Sequence, residues 1–401
     1  MSAQSQKYVW KNAVIFDGVS DKTITGDVVV KDGIIESVGP SADEGVPGTN
    51  LAGKFLMPGM IDNHFHAYGI GLNMLLMEAS KKSYVALKGA QRLNSALHRG
   101  FTTIRDVAGG DIGIARAINE GVIETPSYFY TGPALSQTGG HGDPRDANFD
   151  LCCFDNHSVE IVDGTDNLRV AVRERFRTGA HAIKIMASGG VVSLTDPLRI
   201  PQYSADEIRT VTEEAKRRGS YVAAHAYTAD AVIHAVINGV RSIEHGNLIN
   251  SEAAEIMAEN EAVLVPTLVT YAAMAEHGAG LGMSPIALEK NSQVLEAGRT
   301  AINLATTAGV KVGFGTDLMG DLESEQLQGL RIQHDVQGIL ELLRSVTSRN
   351  AEILGVADRG VISPGMRADF LILETNPFVN PSILWESNQD RIVVKEGKVV
   401  S

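Results

Sequence analysis

Apolar residues recur along this chain in two different rhythms. Between Tyr8 and Pro40 they form short β-rich runs, VWKNAVIFDG and GDVVVKDGIIESVG, separated by Asp-Gly pairs that favour tight turns. The same style returns near the other end in GVISPGMRADFLILE and DRIVVKEGKVVS. An isolated hairpin is only marginally stable in water, so the two ends are expected to pair. The pattern predicts one small β-sandwich domain built from residues 1–57 and 361–401.

The intervening segment, residues 58–360, reads differently. Short apolar runs alternate with amphipathic stretches, the mark of βα units around a parallel sheet. Eight strand candidates stand out: LMPGMIDNHFH, TTIRDVAG, SYFYTGP, AIKIMASG, YVAAHAY, SIEHGN, AVLVPTL and KVGFGTD. Helical stretches such as SADEIRTVTEEAKRRG and TADAVIHAVINGV carry Ser or Thr at the expected N-cap and end near Gly. Eight strands with helices between them predict an α/β fold of the (β/α)8 TIM-barrel type. Right-handed crossovers would then bring the loops after each strand to one face.

Composition narrows the partners. The 401 residues are 44% apolar and 21% charged with 41 Gly, which is ordinary for a folded α/β protein. A formal charge of −13 disfavours nucleic acid and anionic lipid, leaving a small molecule or peptide as the expected partner. No apolar run approaches membrane-spanning length, and the opening MSAQSQKYVWKN lacks a signal-peptide pattern, so a cytoplasmic location is expected. The adjacent Cys152 and Cys153 cannot staple distant parts of a fold, and a structural loop pair is their expected role.

Against this frame, metal-ligand side chains recur at strand ends. His64 and His66 lie two apart, a spacing that puts both on one face of a strand. His225 in AAHAY and His245 in IEHGN end two later strands and are candidates for a second metal, and Asp317 in FGTD follows the last one. Lys184 in AHAIKIMASG would place an ammonium inside a barrel, where it must find a partner or lose its charge. Two answers are open: a salt bridge to a buried carboxylate, or carbamylation into an acid that bridges two divalent metals. With so many histidines, zinc is the expected metal. Two cations sharing a water lower its pKa and polarise a carbonyl, with Asp317 as candidate general base.

The ordered set His64, His66, Lys184, His225, His245 and Asp317, flanked by LMPGMIDNHFH and GVISPGMRADFLIL, resembles the amidohydrolase superfamily in its binuclear, carbamylated-lysine form. The segments SQTGGHGDPR and KIMASGGVVSLTDP are similar to the imidazolonepropionase-related peptidases that cleave Xaa-Pro and other dipeptides or N-acyl amino acids. Lys184 argues against the one-metal arrangement of imidazolonepropionase itself. The resemblance implies two divalent metal ions, a homo-oligomer, and metal-hydroxide attack on an amide carbonyl beside a free carboxylate. It also implies that His141 steadies the carbonyl oxygen and that Tyr227, with a nearby cation, holds the product carboxylate. Arg145 is the first cation to consider, against a salt bridge to Asp143 or Asp146 in its own loop. A cyclic amide, a lactone, or an aromatic N-acyl amino acid toxin are alternative substrates, and an inactive scaffold is a third reading disfavoured by the complete ligand set. His98, His157, His181, His234, His277 and His334 show no ligand spacing, and Asp321, Glu323 and Glu325 read as a solvated helix start.

Overall fold

The computed structural model describes residues 7–40, 45–145, 158–193, 196–386 and 390–400. Its centre is a mixed α/β fold with parallel sheets. Met60–Phe65, Phe101–Asp106 and Ser127–Tyr130 form a three-stranded parallel sheet. A seven-stranded parallel sheet follows the order Val159–Ile161, Ala134–Ser136, Ile183–Met186, Val222–Thr228, Ser242–Leu248, Val263–Val265, Lys311–Val312. Backbone hydrogen bonds link the two sheets, from Asn63 N to Phe314 O, just past the edge strand Lys311–Val312, at 3.0 Å and from His181 N, ahead of Ile183–Met186, to Tyr130 O at 2.8 Å.

All eight strand candidates therefore exist. Ala134–Ser136 and Val159–Ile161 are additional, and at three residues each they are too short to carry a readable alternation. LMPGMIDNHFH divides in two. Phe55–Pro58 pairs with the terminal strands, while Met60–Phe65 joins the three-stranded sheet. At the break between them Gly59 packs closely on Thr102, where a Cβ would lie 2.2 Å from Oγ1.

The helices start where the caps predict. Ser204 and Glu207 form a reciprocal capping box on Ala205–Arg217, and Thr228 caps Ala229–Ile237. Gly219 and Gly239 then turn the chain into the next strand at φ of +68° and +94°. Their apolar faces, with Ile208, Val211, Val232 and Ala235, pack on the outer side of the seven-stranded sheet in one buried cluster with Ile183, Val222 and Ile243.

Both chain ends share one sheet, ordered Lys398–Val399, Arg391–Lys395, Phe370–Leu373, Phe55–Pro58, Lys7–Ile15, Ile24–Lys31, Ile34–Gly39, with Gly48–Asn50 beside Lys7–Ile15. His277 closes the helix Leu268–His277 and His334 lies within the helix Gln326–Ser345. Glu323 departs from expectation: it is largely buried, 3.0 Å from Arg92 and 2.9 Å from Arg99. Asp146, Cys152, Cys153 and His157 lie outside the described residues. Among the described residues no helix is long and apolar enough to cross a membrane.

Candidate active site

His64, His66, His141, Lys184, Tyr227, His225, His245 and Asp317 all line one cavity of about 750 Å³, counting its open mouth, at the carboxyl ends of the parallel strands. The size suits a small ligand. The sites predicted over 250 residues of sequence thus converge. His64 Nε2 and His66 Nε2 lie 3.4 Å and 2.8 Å from Asp317 Oδ1, and the rings of His64 and His245 are 4.9 Å apart. Ligand atoms of His64, His245 and Asp317 fall within 4.8 Å of one another, so the three could hold one ion. His225 stands beside them, its ring 4.6 Å from that of His245 and stacked at 4.2 Å on His141.

Strand register explains part of this convergence. Met186, His225 and Glu244 are cross-strand partners and share one face of the sheet. His245 follows Glu244 and should point to the opposite face. Its backbone is left-handed, φ +73°, and Gly246 follows at +60°, which breaks the alternation and brings both side chains to the site. Asp317 is also left-handed, at φ +55°. Such conformations cost roughly 1–3 kcal/mol each and concentrate at functional sites.

Each imidazole is fixed from outside. His64 Nδ1 donates to Glu244 at 2.7 Å, and His66 Nδ1 faces Ala108 O at 3.4 Å. His245 Nδ1 bonds Thr267 Oγ1 at 2.8 Å, and Thr267 in turn donates to Tyr271, whose hydroxyl meets that of Tyr227 at 2.9 Å. These bonds leave Nε2 of all three rings for the cavity. His225 is turned the other way, with Nε2 donating to Gly189 O at 3.1 Å and Nδ1 left over. Outer hydrogen bonds of this kind set the tautomer and aim of metal-ligating histidines.

The electrostatics prepare His225, His245 and Asp317 for ligation, whereas at His64 burial is outweighed by the Asp317 charge, which raises the imidazole so that His64 would give up its proton on binding an ion. Burial pushes His225 and His245 well below the ordinary imidazole value, so both are neutral with a lone pair available. Burial opposes the Asp317 carboxylate, yet the charges and hydrogen bonds of His64 and His66 hold its pKa well below the usual range. Burial lowers the Lys184 ammonium to about 8, and among the described residues it forms no ion pair. Nitrogen and oxygen donors in these states fit a borderline divalent cation such as zinc.

Four supporting residues escaped the sequence reading. Glu244 is fully buried, accepts two bonds from Arg105 Nη2 at 2.7 Å and 2.9 Å, and receives Ser242 Oγ at 2.6 Å. Alternation offered a signal, since Glu244 lies two residues beyond Ser242 on the face of His225. Arg105, Thr267 and Tyr271 gave none, because they reach the site only through folding.

The remaining candidates divide. His141 Nδ1 bonds Ser193 Oγ at 2.9 Å, and its ring lies where a Cβ on Gly190 would be 1.9 Å away. Arg145 clasps Asp143 through Nε at 2.7 Å and Nη2 at 2.6 Å, the salt-bridge arrangement, and lines an outer chamber next to the main cavity. Tyr227 lies in the main cavity, so Arg145 and Tyr227 line different chambers that share His141.

Known proteins resemble this chain over nearly its whole length. The model of the amidohydrolase family matches residues 55–400. Ochratoxinase of Aspergillus niger is 31% identical over 93% of this chain and 82% of its own length. The crystal structure of a prolidase complexed with N-methylphosphonate-L-proline superposes with a TM-score of 0.95, at 39% identity, covering 98% of this chain and 99% of that one. A Xaa-Pro dipeptidase with bound methionine gives a TM-score of 0.88 at 27% identity, covering 98% and 100%.

Proposed function

Because the chain belongs to the amidohydrolase family and is a hydrolase of carbon–nitrogen bonds, we propose that it cleaves dipeptides of the Xaa-Pro kind or N-acyl amino acids in a metal-dependent reaction. One observation carries the reading. Six side chains from strands across the parallel sheets meet in one cavity, with the outward nitrogen of every imidazole already engaged.

Two divalent cations, zinc first, would be held by His64, His66, Lys184, His225, His245 and Asp317. When bound they supply Lewis acidity, lowering the pKa of water and polarising the scissile carbonyl. The protein's own groups do the rest. Asp317, kept ionised, takes the proton of the attacking water and passes it to the leaving nitrogen. His141, hydrogen-bonded through Nδ1 to Ser193 Oγ, lines the cavity and steadies the developing oxyanion when its Nε2 carries a proton. Tyr227 stays protonated in its buried setting and donates to the substrate carboxylate. Lys184 would serve as a ligand in its carbamate form. Its amine, which burial shifts toward the neutral form at about 8, would add to carbon dioxide and lose one proton.

The backbone hydrogen bonds between the two parallel sheets support closure into a (β/α)8 barrel over residues 58–360. The shared terminal sheet supports a separate small β-domain of residues 1–57 and 361–401. The likeness to ochratoxinase supports an aromatic N-acyl amino acid as a second substrate reading.

Metal analysis of purified protein tests the centre, with about two ions per chain expected from the ligand count. Activity on a library of dipeptides and N-acyl amino acids should vanish on chelation and return with zinc. Full turnover by metal-free protein would sink the mechanism. Failure on every carboxylate-bearing amide would favour a cyclic amide or lactone.

A further inference from the structure

Given that proposed amide hydrolysis, on which it rests, we infer that the acyl half of the substrate is uncharged, bulky and apolar, so that N-acylated amino acids are cleaved in preference to dipeptides with a free amino end. Beside the metal-ligand cluster the same cavity is lined by Met74, Met77, Met186, Met274, Met319 and Val191. Five of the chain's 11 methionines therefore face one cavity. They come from separate places in the fold: the helix Met74–Ala79, the strand Ile183–Met186, the helix Leu268–His277 and the loop after Asp317. Methionine side chains are flexible and polarisable, reshape around large groups, and make favourable contacts with aromatic rings.

Charge points the same way. A substrate ammonium needs a carboxylate or several acceptors once water is removed. Among the described lining residues Asp317 is the one carboxylate, and it lies 2.8 Å, 3.4 Å and 3.9 Å from the nitrogens of His66, His64 and His245. The other ionisable lining groups are imidazoles, Lys184 and two tyrosines, which offer a cation little. A neutral acyl group meets no such penalty.

The wall also leads outward. Met74, His141 and Val192 line both the main cavity and the outer chamber, about 1300 Å³ counting its open mouth, where Leu72, Leu76 and Met283 extend the apolar surface. A long or fused-ring acyl group has room to run from the reacting centre into that chamber.

The test compares three substrates with one leaving amino acid on the zinc-loaded enzyme: hydrocinnamoyl-Phe, Phe-Phe and acetyl-Phe. The first matches the second but lacks its ammonium, and it exceeds the third by a buried ring. Hydrocinnamoyl-Phe should be cleaved with a kcat/KM above that for either of the others by roughly tenfold or more, the scale of burying one large apolar group. Equal or better cleavage of Phe-Phe, or no gain over acetyl-Phe, overturns the inference while leaving the proposed activity intact. No turnover of any of the three alongside cleavage of Ala-Pro overturns the inference and leaves the proposed activity intact; no turnover of Ala-Pro either sinks both. Met74→Glu supplies the missing acid at a half-buried position. The ratio of Phe-Phe to hydrocinnamoyl-Phe cleavage should rise about tenfold in that variant and stay flat in Met74→Gln. An unchanged ratio in a folded Met74→Glu protein overturns the inference.

Discussion

Asp317 illustrates how much a single residue carries at this site. Its carboxylate touches two imidazoles, its backbone is left-handed, and its amide donates to His64 O at 2.7 Å. Asp317→Asn keeps the shape and removes the base, so kcat should fall on the order of 10²–10⁴-fold with the melting temperature little changed. A variant retaining wild-type kcat would remove Asp317 from the chemistry. Glu244 acts one step back, through His64 and Arg105. Glu244→Ala leaves Arg105 buried without its counter-charge and should cost about 3–5 kcal/mol in denaturant unfolding. Metal affinity, read by chelator competition, should drop about 10–100-fold as His64 loses its orienting acceptor. Unchanged affinity would make Glu244 a structural counter-ion only. The sign of its pH dependence is also defined. Arg105 and His64 overcome burial and depress the Glu244 pKa, so its stabilisation is present above the unfolded carboxylate value of about 4.3 and is lost as pH falls toward the folded one. The stability gap between wild type and Glu244→Gln should narrow in acid.

At the scale of elements, the loop after Ile183–Met186 is held in place by a helix distant in sequence. Lys290, in the helix Pro285–Thr307, donates all three ammonium hydrogens to carbonyls of that loop: Gly190 O at 3.0 Å, Ser193 O at 2.8 Å and Asp196 O at 2.8 Å. The same loop presses Gly190 against His141 and supplies the Gly189 carbonyl that turns His225. Lys290→Met strands three acceptors and should cost about 1–3 kcal/mol of stability. If the loop positions His141, kcat should fall more than KM rises, and Lys290→Arg should restore part of it. A stability loss with kinetics unaltered would leave Lys290 a purely structural pin.

For the whole molecule, the terminal sheet and the active-site strands are coupled through a short path. Gly59 N donates to Asp369 O at 2.9 Å, five residues before His64, and Phe370–Leu373 is buried between Phe55–Pro58 and Arg391–Lys395. Deleting residues 390–401 would bare one edge of Phe370–Leu373, an apolar strand with unpaired backbone groups. The truncated protein should melt at a lower temperature and aggregate in light scattering. Its specific activity should decline together with its folded fraction. A soluble truncated protein with unaltered melting would show that the two ends do not brace the catalytic sheets.

Much of this was legible from sequence, because period-two and period-3.6 patterns, caps and strand-end histidines are local properties of the chain. They determined the βα alternation, the pairing of the chain ends, and the convergence of His64, His66, Lys184, His225, His245 and Asp317 on one cavity. Other features depended on contacts between residues far apart. The chain itself has no local mark for a left-handed His245, for Arg105 reaching Glu244 across the sheet, or for Lys290 gripping a loop about 100 residues away. The partner of Arg145 and the methionine wall were likewise decided by tertiary structure. Side-chain direction and nonlocal hydrogen bonding are fixed only when strands acquire register and loops acquire neighbours.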